Sequence, residues 1–209
     1  MPIKPKVITI ALQTPDPDGI CQSQTPGGAG NLTINGAQSS GGTVTFNAAY
    51  RVEVSSAGNV SASTFTFTGT DQHGNSLTEA IAGPNIGTTT TTGYFKTVTQ
   101  VAINGAAAAA VTVGSADEAV TQTVPVDIYA SQTTFGADIG GTIDFTVQQA
   151  YERPTAGQAP NWINTANVSG KTADTYDTLN AQIGALRAVV NSYTAGAAIS
   201  FRISQAAYR

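Results

Sequence analysis

The stretch STFTFTGTDQHGNSLTEAIA, Ser63 to Ala82, constrains the fold more than any other part of the chain. Phe65 and Phe67 alternate with Thr64, Thr66, Thr68 and Thr70, a strict period of two that places both rings on one face of a half-buried strand. Helical geometry would scatter the same residues around a cylinder. DQHGN then interrupts the pattern with Gly74 and Asn75, residues that tolerate the positive φ of a hairpin loop. SLTEAIAG resumes as a returning strand, but Leu77 and Ile81 share their face with Glu79, which a sealed core accepts only with a partner. That face is expected at a rim or an interface.

The same texture recurs from Asn31 to about Ser115 in NLTING, GTVTFNA, YRVEVSSAG, YFKTVTQVAING and AAVTVGS. Each run is short, rich in Val, Ile, Thr, Phe or Tyr, and bounded by turn formers, and no βαβ alternation appears. In YFKTVTQVAING, Phe95, Val101 and Ile103 fall together, opposite Tyr94, Lys96 and Gln100. The expectation is an all-β, antiparallel β-sandwich or barrel-like domain over residues 30–120. After Val120 the strands lengthen in TVPVDIYAS, GTIDFTVQQAY and AISFRISQAA, which predicts a second β-rich lobe over 121–209, one that can share a sheet with the first. Residues 1–29 contain the β-prone VITIAL and then a Pro- and Gly-rich run, and are expected to form an extended N-terminal arm.

TYDTLNAQIGALRAVVNSY, Thr175 to Tyr193, mixes two signals. Tyr176, Leu179, Ile183, Leu186 and Val190 have helical spacing, yet Gly184 interrupts them. A helical turn followed by a strand is expected. The loop from Glu152 to Asp174 is long for a compact domain, and such loops are usually functional. It contains Trp162, the single tryptophan, expected to cover the end of a core, with a binding platform as the other reading.

Composition narrows the function. Only 11% of the 209 residues are charged, and the formal net charge is -4. No basic stripe exists to follow phosphates, which excludes nucleic acid as a partner. Cys21 stands alone, so neither an intramolecular disulfide nor a cysteine zinc site can form within one chain. The apolar run Val7 to Leu12 is short for a signal peptide, and nothing approaches the roughly 20 apolar residues of a membrane helix. The expectation is a protein that neither enters a membrane nor is exported by a signal.

His73 is the only histidine, flanked by Asp71, Asn75 and Glu79. A zinc site needs three or four ligands at fixed spacing, and a Ser-His-Asp or Cys-His centre would have to use this one imidazole at a hairpin tip. The turn reading is preferred. VSGKT at Val168 to Thr172 lacks the first glycine of a P-loop, and DPDG at Asp16 to Gly19 lacks the closing Glu of an EF-hand. NLT and two NVS triplets, at Asn31, Asn59 and Asn167, match the glycosylation pattern but indicate nothing without an export signal. Most acids occupy turn-like settings that local backbone hydrogen bonds explain. No enzyme, cofactor or metal is expected.

The run VEVSSAGNVSASTFTFTGTDQHGNSLTEAIAGPNIGTTTTTGYFKTVTQVAINGAAAAAVTVG, Val52 to Gly114, resembles a β module of virion structural proteins of tailed bacteriophages. The later TIDFTVQQAYERP, PNWIN, GKTA, ALRAVVNSYTAG and ISFRISQA are similar to a second piece found in the same proteins. The resemblance implies a capsid decoration or cement protein, assembled with the virion in the host cytoplasm and held to the major capsid protein or other virion proteins. It also implies a homo-oligomer, a trimer by preference. A neck or tail protein is the alternative, and a carbohydrate-binding module with Trp162, Tyr151 and Tyr176 as stacking candidates is the reading from another class. Interface contacts are expected at Pro15, Pro17, Ile20 and Pro26 in the arm, at Glu79, and at Tyr151, Arg153 and Trp162.

Overall fold

The structure is a computed structural model that describes residues 5–130, 132–154 and 160–206. The described residues contain no helix, and their ladders are antiparallel, so the chain is all-β as its alternation requires. In order the strands are β1 (Lys6–Ala11), β2 (Asp16–Gln24), β3 (Gly30–Asn31), β4 (Ser39–Ser40), β5 (Thr43–Asn59), β6 (Thr64–Thr70), β7 (Ser76–Ala82), β8 (Asn85–Thr90) and β9 (Phe95–Ile103). There follow β10 (Val111–Val120), β11 (Val124–Pro125), β12 (Gln132–Gly140), β13 (Ile143–Ala150), β14 (Ile163–Asn164), β15 (Thr175–Leu179), β16 (Ala185–Tyr193) and β17 (Ala198–Ala206).

The chain divides into two compact units, residues 14–117 and residues 1–13 with 118–209. The first, the contiguous unit, orders its strands β10-β5-β9-β6-β7, with β2 on β10 and β8 on β5. Phe65, Phe67 and Phe95 are buried as the alternation predicts, and Phe67 tilts against Phe95 with ring centroids 6.1 Å apart. GTVTFNA and YRVEVSSAG, expected as two strands, form one, β5. Its register against β9 jumps between Thr45 and Tyr50, and farther along it pairs with β8 instead. The Lys96 ammonium donates to the carbonyl of Phe46 inside that irregular stretch, at 2.5 Å. Desolvation there lowers the Lys96 pKa.

The second, the split unit, holds the four-stranded sheet β1-β17-β12-β15 and a ladder in which β13 joins β14 and β16. Rows from both ladders are buried, including Phe135, Phe201 and Ile199 from one and Phe145, Val147 and Leu186 from the other, a sandwich-like core.

The described part of the expected arm, residues 5–29, is not free. All six residues of β1 pair with β17, from Lys6 opposite Ile203 to Ala11 opposite Ala198, and β2 pairs with β10. Pro17 and Gly19, which argue against a strand, sit where the β2–β10 register shifts repeatedly, and such irregularities tolerate both residue types. The expected helical turn at Thr175 is also absent. β15 pairs residue by residue with β12, from Thr133 opposite Leu179 to Ala137 opposite Thr175, so cross-strand hydrogen bonding prevails over a local spacing that Gly184 already weakens.

Candidate functional site

The hairpin tip is a structural turn built on Asp71. Its carboxylate accepts from the His73 amide at 2.8 Å, the Asn75 amide at 3.0 Å and the Asn75 side-chain amide at 3.1 Å. Gly74 supplies the positive φ of 83° that closes the loop, and His73 is exposed above it. Among the described residues no three His, Cys, Asp or Glu side chains gather where they could hold a metal ion.

Glu79 finds its partner inside its own unit. The carboxylate accepts from the Thr92 amide at 2.7 Å, the Thr92 hydroxyl at 2.9 Å and the Gly93 amide at 2.8 Å, fixing the loop before β9. The face it shares with Leu77 and Ile81 is half-buried and internally satisfied. Glu53 on β5 is less well placed. Burial pushes its carboxyl pKa up, and the charge of Asp117 adds to the effect.

Of the arm residues, Ile20 is fully buried in the contiguous unit and cannot meet a partner, which removes it from the interface set. Its neighbour Cys21 is equally buried, and desolvation pushes the thiol up to about 12, so it is an inert core residue. Pro17 is exposed, whereas Pro15 and Pro26 are half-buried, and the Pro26 carbonyl accepts from the Ala107 amide at 2.9 Å.

In the split unit, Trp162 lies under the Arg187 guanidinium, 4.3 Å from carbon to ring centroid, and Arg187 Nε donates to Gln148 Oε1 at 2.8 Å. The ring is half-buried, and the cation occupies one of its faces. Tyr151 is exposed, and the exposed Arg153 donates to the Val126 carbonyl at 3.5 Å. Residues 155–159 of the long loop lie outside the described residues.

A second polar cluster crosses the outward face of the four-stranded sheet, and sequence spacing gives no sign of it. Tyr176 on β15 and Arg202 on β17 both stand opposite Gly136 on β12. A Cβ on Gly136 would lie 2.6 Å from the Tyr176 ring, so only glycine lets the ring settle across the central strand. The Tyr176 hydroxyl donates to Asp138 Oδ1, and Arg202 Nε donates to Asp138 Oδ2 at 2.5 Å. Those bonds, the tyrosine's first, hold the Asp138 carboxyl below the usual carboxylate range, and the same bond raises the Tyr176 phenol.

The outward side of β7-β6-β9 in the contiguous unit is a third surface of different character. Its cross-strand rows are Ser76, Thr70 and Thr97; Thr78, Thr68 and Gln100; Ala80, Thr66 and Ala102; and Ala82 with Thr64. No ionised side chain occupies any of these positions. Thr70 and Thr97 hydrogen-bond each other at 2.8 Å, and Gln100 donates to Asn31 at 2.8 Å.

A scan against protein-family models finds none that matches the chain, and a search of curated proteins likewise finds no match.

Proposed function

We propose that this chain is a non-enzymatic structural component of a tailed-bacteriophage virion, a capsid decoration or cement protein that binds the major capsid lattice and stabilises the shell. The carrying observation is the uncharged hydroxyl face of β7-β6-β9. Ser76, Thr78, Ala80 and Ala82 stand exposed on its β7 edge. Burying ionised groups against a partner costs several kcal/mol each unless they are paired, whereas hydroxyls and methyls desolvate cheaply and can hydrogen-bond across the contact. A surface of this kind suits wide, permanent contact with a repeating lattice, where attachment to several subunits at once multiplies weak contacts into retention.

The test adds purified protein to empty capsids that lack it. Saturable co-sedimentation, with shells that survive higher temperature, is the expected result. Replacing Thr68 and Thr78 together with Glu should abolish retention while leaving the fold intact by circular dichroism. Absence from shells combined with binding to purified tails or neck complexes would transfer the chain to a neck or tail role.

A further inference from the structure

We propose that the outward face of the four-stranded sheet in the split unit binds one neutral sugar ring, with Tyr176 as its stacking platform and the Asp138–Arg202 pair reading adjacent hydroxyls. The inference is independent of attachment to a capsid. Beside the Tyr176–Asp138–Arg202 cluster runs a groove of about 190 Å³, bordered by Pro5, Val7, Thr134, Tyr176, Arg202 and Ser204. It is smaller than the ~300–1,000 Å³ of pockets for drug-sized ligands, which suits a single ring.

Three features give the groove its chemistry. First, the Tyr176 ring lies along the sheet over Gly136, tethered at its hydroxyl, with 48% of the residue still exposed. A fixed, half-exposed aromatic face loses little conformational entropy when an apolar sugar face covers it. Second, Arg202 donates Nε to Asp138 and also interacts with the Tyr176 hydroxyl, so its five-donor fork is held at the border of the groove beside that carboxylate. A donor fork next to a carboxylate matches a pair of vicinal hydroxyls, each of which both donates and accepts. Third, the hydroxyls of Ser204 and Thr134 stand on adjoining strands at one border of the groove, while Pro5 and Val7 make an apolar border.

Charge selects a neutral ligand. Arg202 and Asp138 cancel, and Asp174, whose carboxylate accepts from the Ile139 amide at 2.8 Å, adds negative potential felt by the Tyr176 phenol. An acidic sugar therefore gains no net attraction there over a neutral one.

The deciding experiment is saturation-transfer NMR of the full chain with methyl glycosides of glucose, galactose and mannose, and with methyl galacturonoside as the anionic control. Retention on dextran, galactan and mannan resins is measured alongside. At least one neutral glycoside is expected to receive saturation through its ring protons and to outcompete the uronoside. Tyr176→Ala should weaken its binding at least tenfold, and Tyr176→Phe, which keeps the ring and loses the tether, by only a fewfold. Retention on the matching resin identifies a polymer-borne sugar as the ligand, and glycoside binding without retention identifies a free one; either supports the site. No transfer to any neutral glycoside, preference for the uronoside, resin retention without glycoside binding, or binding unchanged in a folded Tyr176→Ala variant would each overturn it.

Discussion

The two units solve the same problem of burying antiparallel strands from opposite directions along the chain. In the contiguous unit the hairpin of β6 and β7 closes over a five-residue turn, and β9 joins it from nearby in sequence. In the split unit, Lys6 pairs with Ile203, so its outer sheet joins segments from opposite ends of the sequence. Local pairing costs little loop-closure entropy and can form early, whereas pairing of distant segments must wait until much of the chain is ordered. The comparison predicts which perturbations stay confined to one unit.

The largest effects belong to the buried aromatics. Phe67→Ala and Phe201→Ala should each cost about 3–5 kcal/mol through lost burial and the cavity left behind. If the units are separate cooperative blocks, hydrogen exchange will accelerate within the mutated unit first. Uniform acceleration in both variants would break the comparison and show one block. Removal of residues 1–13 comes next. It strips β1 from β17 and withdraws the buried Leu12, whose side chain alone is worth roughly 1.5–3 kcal/mol. Exchange should rise along β17 and β12 while β6 and β7 stay protected.

At the hairpin tip the expected effects are smaller. Asp71→Ala removes the acceptor of three hydrogen bonds and should cost about 1–2 kcal/mol in thermal unfolding, mainly within the contiguous unit. His73→Ala should stay within about 0.5 kcal/mol, as exposed substitutions usually do. A larger His73 effect would reopen a functional role for the imidazole.

The smallest effect is a matter of pH. Glu53 has a folded pKa above its unfolded value of 4.5, so the folded state binds that proton more tightly. Ionisation therefore costs stability, fully above the raised folded value and not at all below 4.5. Glu53→Gln should unfold at a slightly higher temperature than the parent at pH 7, with the difference shrinking as the pH falls and vanishing below 4.5. A constant difference across the titration would assign the effect to packing instead.

The parts of this fold that were legible in the sequence are those encoded by neighbours. Phe65 and Phe67 announce their face through alternation, and DQHGN announces its turn through residue chemistry. β2 was hidden because Pro17 and Gly19 signal a break, and only its pairing with β10 supplies the hydrogen bonds that make it a strand. β15 reads as a helical turn in the sequence because Tyr176, Leu179 and Ile183 fit a helical stripe, a local preference that cross-strand pairing overrides. The partner of Glu79 was invisible because it lies in the loop at Thr92 and Gly93, and the Tyr176–Asp138–Arg202 cluster because it joins three strands far apart in sequence. Gly136 carried the one local hint, a glycine inside a strand, which marks a close approach without saying by what.

The antiparallel pairing of β1 with β17 has a practical consequence for engineering. Lys6 lies opposite Ile203, so whatever is joined before the first strand and after the last departs from the same end of the same sheet. Two cargoes fused there would be displayed side by side. A short bridge across that gap, with the chain reopened between His73 and Gly74, would give a circular permutant that retains every strand pair described above.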